Sequence, residues 1–179
     1  MVDLNKFSNA IKRRPSPKYR SLFHFTERAN LPHIRKYGLL SLREIVNKGL
    51  VDVQYCSSEN SRRTDRTKGL DDYVHLCLYP DHPMQFAKSY SGDLKDCAWL
   101  KVSPDIILEK GVLFCSIMSN SNDAEVIPIS DITLKEFDAD IVLKFQDWSD
   151  TEIRNRLDIT KKYEILVPKR IPLELIGFE

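Results

Sequence analysis

Near the C-terminal end of the chain, Lys161-Lys-Tyr-Glu-Ile-Leu-Val-Pro168 sets one carboxylate, Glu164, at the start of a short apolar run. In an extended strand Tyr163, Ile165 and Val167 share one face, and Glu164 and Leu166 share the other. Pro168 limits how far such a strand continues. A carboxylate facing the same way as a buried leucine needs solvent or a pocket, because an unpaired buried charge is costly. On this segment alone, an edge strand with an exposed Glu164 is the simpler alternative. At the other end, Ser21-Leu-Phe-His-Phe-Thr26 alternates as a strand, with Phe23 and Phe25 on one side and His24 with Thr26 on the other. That places an imidazole and a hydroxyl about 7 Å apart, a spacing suited to gripping the hydroxyls of a ribose. A hydrogen-bonded structural histidine is the alternative. Arg62 and Arg63 offer fixed, bidentate donors for a pyrophosphate or a reacting centre, against the alternative of solvated surface arginines. Met84 and Phe86, just past a turn at Pro80-Asp-His-Pro83, suit either a core or an apolar wall for a flat ring.

These residues have to be held by something. Asp72 to Tyr79 is the clearest strand, nearly continuous in apolar character and therefore central. Asp96 to Val102, Val112 to Ser116 and Leu173 to Phe178 supply further strands. Glu27 to Tyr37 predicts a helix, with Asn30 as N-cap, Pro32 in the first turn and Gly38 as the stop. Leu42 to Lys48 adds a turn or two, and Pro104 to Lys110 another short helix. Val51 to Lys68 predicts a surface loop, and Asp147 to Lys162 a polar loop carrying Trp148, Arg154 and Arg156. The basic residues 1–20 predict a mobile lead-in that lies on phosphates or is solvated. Strand, helix, then many short strands without regular alternation predicts an α+β domain of twisted, mainly antiparallel sheets, not a doubly wound α/β fold.

Composition narrows the function classes. A length of 179 residues suits one domain over 1–179, able to bury a core without disulfides. No apolar run approaches the ~20 residues of a membrane span, and the N-terminus lacks a signal-peptide core. Cys56, Cys77, Cys97 and Cys115 show no C-x-x-C spacing, which predicts reduced thiols in the cytoplasm and no zinc site. The net charge of +1 hides an asymmetry: residues 1–70 carry 15 basic and 6 acidic side chains, residues 71–179 carry 12 and 20. The basic half suits a polyanion, or else the two halves attract each other. No G-x-G-x-x-G, Walker loop, H-E-x-x-H or nucleophile elbow is present.

Taken in order, the segments resemble the DarT family of DNA ADP-ribosyltransferase toxins. Leu22-Phe-His-Phe-Thr-Glu-Arg-Ala-Asn-Leu, running on to Gly38-Leu-Leu-Ser41, is similar to the family's opening H-x-T strand and helix. The Arg62-Arg63 pair followed by Asp72 to Met84 is similar to its next strand and Pro-x-x-Pro-Met turn. Tyr163-Glu-Ile-Leu-Val-Pro168 with Ile171-Pro172 and Leu175-Ile176 is similar to its terminal block, which holds the catalytic glutamate. The resemblance spans Leu22 to Phe178.

It implies an ADP-ribosyltransferase-like fold, two packed, mainly antiparallel sheets with short flanking helices. It also implies transfer of ADP-ribose from NAD to a nucleobase of single-stranded DNA, with nicotinamide leaving and no metal. Glu164 then holds the ribose and stabilises the cationic sugar, and His24 and Thr26, helped by Asn30, grip the NAD riboses. Arg63, or its neighbour Arg62, meets the pyrophosphate or the incoming base and supports proton removal from it. Met84 and Phe86 wall the nicotinamide, and Trp148, Arg154 and Arg156 read the strand. A cognate antitoxin with hydrolase activity is the implied partner. The alternatives are the same chemistry aimed at RNA or protein, or a nucleic-acid-binding module without catalysis.

Overall fold

The computed structural model describes residues 2–92 and 94–178, and the side chain of Met84 lies outside that description. The chain begins with α1 (Leu4–Lys12), capped by the Asp3 carboxylate, which accepts from the Lys6 N–H. Phe7 and Ile11 are buried on its inner face. Arg14 follows, 2 % exposed, its guanidinium donating to the carbonyls of Tyr19 and Leu78 at 2.9 Å and lying over the Tyr79 ring. The expected mobile lead-in is thus corrected: two apolar side chains one helical turn apart and a buried, hydrogen-bonded guanidinium anchor it.

Next come β1 (Leu22–Glu27), α2 (Leu31–Tyr37), β2 (Leu39–Leu40), α3 (Leu42–Asn47) and α4 (Glu59–Lys68). Helix α4 replaces the expected surface loop. Ser58 caps it by accepting from the Ser61 N–H, and Gly69 ends it at φ 71°, signals that hydrophobic periodicity does not carry. The chain continues through β3 (Tyr73–Cys77), α5 (Pro83–Ser91), β4 (Cys97–Val102), β5 (Leu113–Cys115), β6 (Val126–Pro128) and α6 (Ala139–Leu143). It closes with α7 (Thr151–Thr160), β7 (Glu164–Pro168), β8 (Arg170–Ile171) and β9 (Ile176–Phe178). Helix α7 replaces most of the loop expected between Asp147 and Lys162, because the Asp150 carboxylate caps it, accepting from the N–H groups of Glu152 and Ile153.

The α+β, mainly antiparallel architecture is present. The strand order of the main sheet is β6-β5-β7-β3-β1-β4-β9, with a separate β2-β8 ribbon. The main sheet is two sheets joined at a seam. Strand β1 pairs with β4 at six positions but with β3 only at Phe23 and Cys77. On one side of the seam β3 pairs with β7 from Tyr73 to Cys77, and β7 pairs with β5. From the rung between Phe23 and Cys77 toward Tyr73 on β3 and Glu27 on β1 the two halves part. Leu22, Leu100 and Val102 from one half meet Val74, Leu76, Ile165 and Val167 from the other in a common core with Phe7 and Ile11. Strand β7 is internal, which overturns the edge-strand alternative for Glu164. Among the described residues no helix is long and apolar enough to cross a membrane.

Gly38 ends α2 at φ 78°, where a Cβ would stand 2.4 Å from the Ile171 carbonyl oxygen. Only glycine allows the ribbon to close this near the helix. That contact fixes the wall behind the cleft described next.

Candidate functional site

The parting of the two half-sheets leaves a cleft of about 210 Å³, lined by β1, β3, the β7 carboxylate and the inner faces of α3 and α4. Its floor follows from register. Residues opposite each other in antiparallel strands point to the same face, so Glu164 shares its face with Cys77 on one side and Cys115 on the other. Tyr163, Ile165 and Val167 on the opposite face are buried in the core. The period of two that puts hydrophobic side chains inside therefore turns one carboxylate into the cleft.

Glu164 is 6 % exposed, and one of its two oxygens carries the contacts. Its Oε2 accepts from the backbone N–H of Ser119 at 3.0 Å and lies 3.3 Å from His75 Nδ1. The other imidazole nitrogen of His75 is 3.4 Å from the Leu70 carbonyl. Acceptors on both sides of the ring, with Ser119 Oγ also 3.2 Å from Nδ1, favour the protonated form of His75. Burial works against that charge, but the adjoining Glu164 carboxylate, by hydrogen bond and by charge, raises the His75 pKa overall. Burial likewise works against ionised Glu164, and the His75 and Ser119 donors outweigh it, so its pKa is lowered. The net result is a carboxylate kept ionised in a largely dry wall.

His24 stands at the seam. Its Nδ1 donates to the His75 carbonyl oxygen at 2.9 Å, taking up a ladder acceptor that β1 leaves when it parts from β3. Burial brings its pKa down to about 4. The ring is therefore neutral near pH 7, with Nε2 the acceptor nitrogen. Thr26 and Asn30 lie further along the same wall. Asn30 does not use its side chain to cap α2. Its amide nitrogen donates to Thr26 Oγ1 at 3.0 Å and to the Gln54 carbonyl at 2.8 Å, and its oxygen accepts from the Gln54 N–H at 2.8 Å. That ties the segment before α4 to the mouth of the cleft.

The structure thus brings Glu164, His24, Thr26 and Asn30 to one cleft, and it leaves the other sequence candidates elsewhere. Arg62 and Arg63 lie on α4 outside the cavity lining. The Arg62 guanidinium donates to the Ser57 carbonyl and lies 4.7 Å from the Tyr55 ring centroid, so it braces two lining residues from behind. Phe86 is 59 % exposed on α5, away from the cleft. The rings that do line the cleft include Phe25 and His82, roughly stacked with centroids 6.4 Å apart. Met84 as part of an aromatic wall falls outside the described side chains.

Trp148, 43 % exposed, lies on a second groove with Arg14, Tyr79, Lys144, Phe145 and Lys161. Tyr79 and Asp81 line this groove and His82 lines the cleft, so one short segment connects the two. Arg156 is spent on a bidentate pair with Asp138, at 2.5 and 3.0 Å. Arg154 donates to the Trp148 carbonyl and to Thr151 Oγ1. Both guanidiniums thus have partners within their own helix and its approach.

His75, Ser119 and Asp65 line the cleft but do not stand out in the sequence. His75 alternates with Val74 and Leu76, a period-two signal that places it beside Glu164 once β3 and β7 are paired. Ser119 acts through its backbone, which composition does not reveal. Asp65 was hidden by the unrecognised α4.

Comparison with known proteins follows this geometry. A family model described as ssDNA thymidine ADP-ribosyltransferase, DarT, matches residues 23–177. No curated protein matches. Among solved structures, the chain is similar to Thermosipho africanus DarTG in complex with ADP-ribose, at 20 % identity and a TM-score of 0.67, over 88 % of this chain and 42 % of that one. It is also similar to Thermus sp. 2.9 DarT in complex with ADP-ribosylated ssDNA, at 22 % identity and a TM-score of 0.64, over 92 % of this chain and 82 % of that one. The same Thermus protein in complex with NAD+ gives 22 % identity and a TM-score of 0.55, over 92 % and 81 %. At these identities the solved structures share the fold. This chain spans less than half the length of the Thermosipho chain.

Proposed function

Since the chain belongs to the DarT family, whose model spans residues 23–177, we propose that it transfers ADP-ribose from NAD to thymidine in single-stranded DNA and releases nicotinamide. The observation that carries this reading is the ionised, buried Glu164, held by His75 and the Ser119 N–H, in the same cleft as a neutral His24.

Each residue has work that fits the chemistry. Breaking the bond between nicotinamide and ribose develops positive charge on the sugar, as in glycoside cleavage. A fixed carboxylate in a water-poor wall stabilises that charge without reorganising. Glu164 is already ionised and oriented, and the His75 imidazolium keeps it so. The acceptor nitrogen of His24 takes a hydrogen bond from a ribose hydroxyl, and Thr26, oriented by Asn30, takes a neighbouring one. Phe25 and His82 supply flat surface for a ring to lie against. The single strand leaves the cleft past His82 into the groove of Trp148 and Phe145, where aromatic faces stack bases and Lys144 meets phosphate. We also propose that the protein acts in the cytoplasm as a toxin opposed by an antitoxin, a setting with which its four free thiols agree.

The test is incubation with NAD and matched single-stranded DNA, duplex DNA and RNA oligonucleotides, read by mass. ADP-ribose should appear on thymidine-containing single strands and vanish with Glu164→Ala. Transfer to RNA or protein instead would move the substrate class, and an intact Glu164→Ala enzyme would sink the catalytic assignment.

A further inference from the structure

Asp65 lies on the inner face of α4 and lines the cleft beside His75, Ser119 and Glu164. It is 8 % exposed, and its Oδ1 is buried without a hydrogen-bond donor among the described residues. Its neighbours are not like this. Glu164 accepts from two donors, His75 has a partner for each ring nitrogen, and Asn30 spends both ends of its amide. A buried carboxylate oxygen with no donor is costly, and such an atom in a native fold calls for an explanation. Asp65 itself lines a cleft that suits a ligand, so a ligand toward which this carboxylate turns is the source of the missing donor.

The chemistry proposed above lacks such an acceptor on the DNA side. Within a DNA strand a thymine ring carries one N–H, at its imide nitrogen, and that proton must leave when the nitrogen bonds to the sugar. Arginine carries donors only and stays protonated, and all three arginines of α4, Arg62, Arg63 and Arg66, lie outside the cavity lining. Glu164 is committed to the ribose and to His75.

Resting on the transferase reading, we propose that Asp65 is the base that takes the imide proton of the incoming thymine. The bond between the ribose anomeric carbon and nicotinamide breaks, its electron pair leaving with neutral nicotinamide. The thymine nitrogen bonds to the same carbon, and its proton passes to the Asp65 carboxylate, which later releases it to water. Two carboxylates in one cleft are thereby divided, Glu164 serving the sugar and Asp65 the base.

The surroundings of Asp65 suit it to that task. Burial is the largest influence and raises its pKa. His75 on β3 lowers it, Glu164 on β7 and Asp71 before β3 raise it, and Lys68 on α4 lowers it, leaving it above the ordinary carboxyl value. A carboxylate that binds a proton more tightly is a stronger general base.

The experiment compares wild type with Asp65→Asn, using NAD and a thymidine-containing single strand. Transfer should fall about 100-fold, the scale of a lost general base, with NAD affinity held within roughly threefold because the sugar grip is intact. The rise of the wild-type rate with pH, as Asp65 ionises, should disappear. The variant should melt no lower than wild type, since the amide replaces an uncompensated charge. Transfer within twofold of wild type, or a pH rise kept in the variant, would overturn the assignment. So would NAD affinity lost in step with rate, or a lowered melting temperature, each of which makes Asp65 a grip or a structural group. If wild type forms no adduct on any single strand, it is the transferase reading that falls, and this role with it.

Discussion

His24 Nδ1 donates to the carbonyl oxygen of His75 at 2.9 Å, yet the two imidazoles are pushed in opposite directions on the pH scale. Burial dominates at His24, with the charge of His75 adding to it and the hydrogen bond to the His75 carbonyl opposing it, and the pKa falls to about 4. At His75 burial is outweighed by the Glu164 carboxylate, and the pKa rises. Neighbouring strands thus present one ring as an acceptor for a hydroxyl and the other as a positive charge behind a carboxylate. The division follows from the seam, which puts His24 against a backbone carbonyl and His75 against a side-chain anion.

Removing the charge behind Glu164 should cost stability and rate together. In His75→Ala the carboxylate keeps its burial but loses its larger donor, so its pKa climbs. Breaking a buried pair from one side costs about 3 kcal/mol. Glu164's share of the pair is present above 4.5 and is lost as pH falls through its lowered folded value. His75's share is present below 6.5 and is lost as pH rises through its raised folded value. Thermal unfolding of wild type against His75→Ala should therefore differ most between pH 4.5 and 6.5. Transfer by the variant should recover partly as pH is raised; a gap in melting temperature that widens steadily above pH 8 would contradict this account.

His24→Ala removes an acceptor from a bound hydroxyl without touching the developing charge. KM for NAD should rise about tenfold, with kcat changed by less than about threefold, the pattern of binding energy shared by ground and transition states. Because His24 titrates near 4, wild-type NAD affinity should show no His24 inflection between pH 6 and 8. Isothermal titration at several pH values reads both.

Gly38→Ala should be costly even without a ligand. The added methyl meets the Ile171 carbonyl at 2.4 Å on a backbone of φ 78°. Relief requires the β2-β8 ribbon to move, at about 3 kcal/mol, or roughly 8 °C in Tm for a domain of this size. A variant melting within a degree of wild type would show that the ribbon yields freely.

Arg156 and Trp148 should separate by readout. Arg156→Ala breaks the pair with Asp138 and should lower Tm by no more than roughly 3 °C, half-exposed pairs being weak, with single-strand affinity unchanged within twofold. Trp148→Ala should leave Tm in place and weaken single-strand binding about tenfold, the scale of one lost stacking contact. Fluorescence anisotropy with a labelled oligonucleotide distinguishes them; the reverse pattern would return Arg156 to the DNA surface.

Much of the site was legible because its strands obey a strict alternation. Glu164 opposite Tyr163 and Ile165, and the His24 and Thr26 pair on β1, follow from side-chain period alone. What the sequence hid lies on helices that lack an apolar stripe. Helix α4 is polar nearly all round, since its inner face looks onto a ligand cleft where a core would otherwise be, so a search for hydrophobic periodicity passes over it and over Asp65. Only the Ser58 cap and the Gly69 stop mark its ends. Helix α7 offers only Ile153 and Leu157, one turn apart, as an inner stripe, too short a pattern to announce it or the internal partners of Arg154 and Arg156. Ser119 contributes an N–H, which every residue but proline possesses, so no residue type could have announced it.

Phe23 opposite Cys77 is the one backbone rung between β1 and β3 among the described residues. The notch above it is therefore framed by main chain on two sides, with the segments around Tyr55 and Asn120 completing its lining. Substitutions in the approach to α7, which lines the neighbouring groove and not this notch, therefore leave that frame in place.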